Sequence, residues 1–180
     1  GSKMTSASTG SGYFVNAAGT MSGGTPNIPA PVFAVADSAN PAFGATNGIS
    51  WTGNVTANTS TGYIQINAKT PSITGALTAY GLALLGNNQS YTLNNASNAF
   101  SALAANIGTG TLTVTNANAL TVGSYNGTDG ITAASVALTV GGLQGAKNIT
   151  VTGSSTISIT NASGSYDYTG VMSGPIALSK

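Results

Sequence analysis

Chemistry in this chain would have to come from very few side chains. Its 180 residues hold four cations (Lys3, Lys69, Lys147, Lys180), three anions (Asp37, Asp129, Asp167), and no Arg, Glu, His or Cys. Acid–base catalysis by His, attack by a thiolate, paired carboxylates and an arginine clamp all require residue types that are missing. Polysaccharide cleavage needs clustered carboxylates or a basic catalytic group, and three isolated Asp do not supply them. The expectation is a protein that is not an enzyme and has no catalytic residues, metal site or cofactor.

Binding chemistry is the remaining option. Asn126-Gly127-Thr128-Asp129-Gly130 offers one carboxylate and several carbonyls. A calcium ion wants six to eight oxygens and more than one charge, so a plain turn capped by Asp129 is the better reading. Aromatic rings beside a carboxylate stack on sugars, which makes Trp51, Tyr63, Tyr166, Asp167 and Tyr168 the candidate binding residues. The competing reading puts Trp51 and Tyr168 among rings that fill the core or cap a coil. Seven Asn-x-Ser/Thr sequons, at Asn54, Asn58, Asn88, Asn95, Asn126, Asn148 and Asn161, are close to what this Asn, Ser and Thr content gives by chance. Thr-x-Thr units at 111–115 and 150–152 raise ice binding as a minor alternative, although Thr121, Thr132, Thr139 and Thr156 drift out of a single file.

Composition narrows the partners. Charged residues make up 4 % of the chain, against about a quarter in ordinary soluble domains. A net charge of +1 leaves no basic patch to neutralise phosphates, so nucleic acid is not an expected partner. No apolar run reaches the roughly 20 residues that cross a bilayer as a helix, so membrane insertion is not expected either. Absent Cys removes a disulfide framework. Gly1-Ser2-Lys3-Met4 reads as the remnant of an expression tag, residues 1–4, on a fragment of a larger protein.

The elements that position these residues are strands. Only Ala96 to Ala105 has a helix-like composition, and Asn98 and Ser101 interrupt it. Large apolar residues recur at every second position in Tyr63-Ile64-Gln65-Ile66, Thr111-Leu112-Thr113-Val114 and Val136-Ala137-Leu138-Thr139-Val140, with Gln, Thr or Ala between them. One apolar ladder runs Ile49, Ile66, Leu84, Leu103, Leu120, Leu138, Ile157, Ile176, in steps of 17 to 19 residues. A second runs Val55, Ile73, Leu93, Leu112, Ile131, Ile149, Tyr168, in steps of 18 to 20. Two ladders sharing one period signal stacked coils, because a single coil cannot bury its own apolar face. The expected fold is all-β, a right-handed parallel β-helix of about seven coils over residues 48–180. An immunoglobulin-like β-sandwich is the alternative. Pro26, Pro29, Pro31 and Pro41 mark residues 5–47 as an irregular cap or insertion, with Tyr13-Phe14-Val15 and Val32-Phe33-Ala34-Val35 able to pair.

Residues from about 99 to 160 resemble the repeats of filamentous-haemagglutinin-type bacterial adhesins. The similarity is carried by Ser101-Ala102-Leu103-Ala104-Ala105-Asn106, Gly110-Thr111-Leu112-Thr113-Val114-Thr115-Asn116, Ala119-Leu120-Thr121-Val122-Gly123, Asp129-Gly130-Ile131-Thr132-Ala133 and the strand at 136–140. The resemblance implies export to a Gram-negative cell surface, with help from an outer-membrane export partner acting on the parent protein. It also implies adhesion or biofilm formation through host or matrix surfaces, protein or glycan, or through neighbouring cells. Thr25-Pro26-Asn27-Ile28 and Asn40-Pro41-Ala42 do not match the Asn-Pro-Asn motifs of the secretion domain, which places this segment in the stalk.

Overall fold

The computed structural model describes residues 12–16, 32–36, 42–45, 49–51, 54–57, 59–68, 71–125, 127–161, 164 and 166–180; among the strands, side chains are described from 56 onward. Every regular element among them is a strand, and Ala99–Asn106 is extended where the composition had looked most helical. Strands of successive coils pair in parallel and close a β-solenoid of about five turns, not seven. No sandwich of antiparallel sheets is formed by these pairings.

Three walls make up each coil. On the A wall, the ladder Ile64–Leu82–Leu103–Val122 runs across four coils, and Ala105–Ile131–Ile149–Met172 continues it. The B wall stacks Leu93–Val114–Leu138–Ile157–Leu178. The C wall is narrower, with Val55 on Leu77 and Ala79 on Phe100. Inward residues of the middle coils are fully buried and form one continuous core. This is the stacking that lets each coil cover the apolar face of the last.

The register corrects both apolar ladders in detail. Ile66 pairs with Leu84 and Leu138 with Ile157, as the spacing predicts. Leu84 instead meets Ala105, and Leu103 meets Val122, each two residues beyond the predicted partner. A shift of two keeps the side chain on the core face, so the parity of the pattern survives the slip. Elsewhere the ladders exchange walls: Leu112 faces Val136, while Ile131 stands on Ala105. The cause is unequal coil length. Ile66 to Leu84 spans 18 residues, but Ala105 to Ile131 spans 26.

Polar side chains close the corners. The buried Asn98 accepts from the Leu77 N–H at 2.9 Å and donates to the Leu93 and Thr115 carbonyls. Asn116, also buried, accepts from the Phe100 N–H and donates to the Phe100 carbonyl. The Ser155 hydroxyl accepts from the Val136 N–H. At each of these positions the backbone turns away from its neighbouring coil, and the side chain replaces the missing ladder partner.

The N-terminal strands extend the A wall differently. Ala42–Ala45 runs parallel to Tyr63–Ala68, but Val32–Ala36 pairs with it antiparallel, and Gly12–Asn16 is antiparallel to Val32–Ala36 in turn. Pairing of the 13–15 and 32–35 segments agrees with the expectation from sequence.

Candidate binding surfaces

The A wall carries the irregular features of the solenoid. Between Val122 and Ile131 the strand is interrupted by an outward hairpin, Ser124–Tyr125 against Thr128–Asp129, closed at its base by a Gly130 N–H to Gly123 carbonyl bond of 2.9 Å. The strand resumes in place because Leu103 and Ala105 bond across the gap, through Gly123 N–H to Leu103 carbonyl and Ala105 N–H to Gly130 carbonyl. The hairpin folds back on the outside of the wall, against Ala99–Asn106 and Leu77–Leu85.

Small residues make room for this cover. Leu82, Leu84 and Leu103 point inward, so Gly81, Ala83, Ala102 and Ala104 point outward, yet all four are buried. A Cβ at Gly81 would sit 2.7 Å from Cε1 of Tyr125. Two more rings meet Tyr125: Tyr63 at 6.1 Å between centroids, tilted, and Tyr80 at 6.3 Å, edge-on. Burial pushes the Tyr125 phenol up to about 12, and Tyr80 beside it adds to the rise. Tyr80 stays 39 % exposed at the rim of the cluster.

Tyr166 repeats the device one end further on. Its ring lies directly over Gly142, leaving no room for a Cβ there, and its hydroxyl accepts from Asn161 Nδ2 at 3.1 Å. Tyr168 donates to the Lys147 carbonyl at 2.7 Å, and its partial burial raises its pKa. Together Tyr166 and Tyr168 form one side of a cleft of about 280 Å³ at the C-terminal end of the solenoid. Leu143, Ile159, Met172 and Leu178 line the rest, with Lys180 at its edge.

The structure therefore divides the five candidate residues among different places. Tyr63 belongs to the flank cluster, while Tyr166 and Tyr168 belong to the end cleft. Asp167 is exposed in the same coil, its carbonyl accepting from the Gly145 N–H. The Trp51 backbone pairs with Ile73, and its side chain lies outside the described residues. Sequence reasoning missed Tyr80 and Tyr125. The available signal was the run of outward Gly and Ala in Gly81-Leu82-Ala83-Leu84 and Ala102-Leu103-Ala104, where a bare wall would carry Thr.

Two other readings acquire geometry. The Asp129 carboxylate takes a hydrogen bond from Ser124 and one from Lys147, at 3.1 Å, and both hold its pKa low. Asn126 lies outside the described residues. Thr-x-Thr units meet mixed neighbours: Thr113 stands between Thr92 and Ala137, and Thr150 between Thr132 and Ser173. Several sequon residues serve the corners, with Asn54 accepting from Ala76 N–H, Asn148 accepting from Val171 N–H, and Asn95 donating to the Thr74 carbonyl.

No family model, curated protein or solved structure matches the chain.

Proposed function

We propose that this chain is a structural and adhesive segment of a large exported bacterial surface protein of the filamentous-haemagglutinin type. The observation that carries the reading is the continuous coil stacking, with the larger outward elaborations gathered on one wall. A stack of coils lengthens by repetition without a change of core, which suits a spacer between a cell and its target. The charge-poor exterior of Thr, Ser and Asn and the repeat cadence of residues 99 to 160 support the same view. In this reading the parent leaves a Gram-negative cell through an outer-membrane partner, and the A wall meets host, matrix or neighbouring-cell surfaces.

Beads coated with the purified chain test the adhesive part. They are expected to hold on matrix or cell surfaces under flow better than beads coated with an inert protein, and less well when residues 123–130 are replaced by a short Gly-Ser link. Equal retention of all three bead types would remove adhesion and leave a spacer.

A second reading, carbohydrate binding, is favoured by the meeting of Tyr63, Tyr80 and Tyr125 on the flank. Titration with soluble oligosaccharides should then give saturable binding that Tyr80→Ala weakens. Absence of binding to every sugar class tried would discard it.

A further inference from the structure

We infer that Tyr80 and Tyr125 form a site of oxidative cross-linking, where the two rings join carbon to carbon and staple the outward hairpin to the A wall. The inference goes beyond both readings above, since it needs neither adhesion nor a sugar.

This chain has few places to take up an oxidising equivalent. Cys is absent, and one Trp and three Met stand against seven Tyr. The described tyrosines differ in their surroundings. Tyr91 is buried and donates to the Leu85 carbonyl, Tyr168 donates to the Lys147 carbonyl, and Tyr166 accepts from Asn161. Tyr80 and Tyr125 share a hydrogen bond between their own hydroxyls. Their ring centroids lie 6.3 Å apart, edge-on. Tyr80 is 39 % exposed, within reach of an oxidant at the surface, while Tyr125 is half-buried behind it.

Such a pair is arranged for coupling. A phenoxyl radical reacts at a Cε carbon, next to the carbon that bears oxygen. Hydroxyls in mutual contact therefore turn the reacting carbons toward each other, and the coupled biphenol keeps its hydroxyls side by side. Exposed side chains change rotamer within nanoseconds, so Tyr80 supplies the movement that closes the gap between the rings.

The oxidant is hydrogen peroxide acting through a haem peroxidase. It takes a hydrogen atom from the Tyr80 hydroxyl; the Tyr80 radical takes the hydroxyl hydrogen atom of Tyr125, and Tyr80 is oxidised again. The two radicals join through one Cε of each ring, and the hydrogen on each joined carbon moves to its oxygen. The protein loses two hydrogen atoms in all, and one peroxide becomes two waters. Along the ladder Leu82–Leu103–Val122 the link ties together coils two steps apart. A covalent tie restrains the unfolded chain as a disulfide does, and this chain has no Cys to make one.

The test is oxidation of the full chain, in dilute solution, by a haem peroxidase with hydrogen peroxide. The expected product is a monomer lighter by two hydrogen atoms that shows biphenol fluorescence. Digestion with a broad-specificity protease should give a peptide pair joining Tyr80 to Tyr125. Tyr80→Phe and Tyr125→Phe keep the ring packing, which circular dichroism checks, and each should abolish the link within the chain. Tyr63→Phe should retain it, and oxidation of the urea-unfolded chain should lose the preference for this pair. The linked monomer should unfold at higher urea than the untreated chain. Links only between chains, a peptide pair lacking Tyr80 or Tyr125, or a yield unmoved by Tyr125→Phe would overturn the site. An unchanged urea midpoint would overturn its role as a staple.

Discussion

The A and B walls of this solenoid share one core and differ on the outside where part of the A wall lies under a second layer. Outward positions of the B wall run Thr92–Thr113–Ala137–Thr156–Ala177, with hydroxyls in contact with solvent at three of the five. Outward positions of the A wall include Gly81, Ala83, Ala102, Ala104 and Gly142, all buried. The reason is a second layer: the 123–130 hairpin lays Tyr125 on Gly81, and the last coil lays Tyr166 on Gly142. A strand covered on both faces loses its need for polar outward residues and gains a need for small ones. Outward residue size therefore tells a bare solenoid wall from a covered one.

If the core is common to both walls, inward truncations should cost the same on either. Leu103→Ala on the A wall and Leu112→Ala on the B wall each remove a side chain that is at most 1 % exposed. Both should destabilise by about 2–5 kcal/mol in urea denaturation, the range for burying a cavity in place of a leucine. A large gap between the two would mean that the outer cover also shapes the core.

The difference lies outside, and the next pair of substitutions isolates it. Gly81→Val places branched carbons where the Tyr125 ring rests, and overpacking of this kind costs about 1–3 kcal/mol. Thr92→Val, outward on the bare wall, should stay within about 0.5 kcal/mol. Equal effects would break the distinction between the walls.

What the sequence reveals follows the same division. Alternation of apolar and polar residues fixes which way a side chain points, and slips of two residues, as at Leu84 and Leu103, do not disturb it. The fold class was legible for that reason. Wall assignment was not, because Leu112 and Ile131 stand 19 residues apart yet belong to different walls. The hairpin at 123–130 lengthens its coil without leaving an apolar mark, so counting by a mean period gives more turns than exist. Of the candidate binding residues, Tyr166 and Tyr168 were legible as a pair because they stand two residues apart in sequence. The union of Tyr63 with Tyr125 was not, since it depends on a hairpin folding back across two coils.

The covering layer should also be visible in a titration. Burial and the neighbouring Tyr80 raise the Tyr125 phenol from 10.0 to about 12. The folded state then holds its proton more tightly than the unfolded chain does. Between pH 10 and 12 the unfolded state binds fewer protons, so stability falls as pH rises. The contribution is whole below pH 10 and gone above 12. Phenolate absorbance should show a late-titrating tyrosine that Tyr125→Phe removes, and the same variant should flatten the fall in stability across that window. A Tyr125 that ionises with the exposed phenols would mean that the hairpin does not rest on the wall.

The smallest expected effect belongs to the ion pair between Lys147 and Asp129 on the A-wall side. Lys147 reaches Asp129 at 3.1 Å, with side chains 45 % and 63 % exposed. Exposed pairs of this kind gain little, because water screens them and both side chains lose freedom. Asp129→Asn should leave the denaturation midpoint unchanged, in low salt and in high salt, while Gly81→Val shifts it in both. The hairpin is held by the fit of Tyr125 against glycine, not by charge. A salt-sensitive loss of stability in Asp129→Asn would reverse that order and make the cover an electrostatic one.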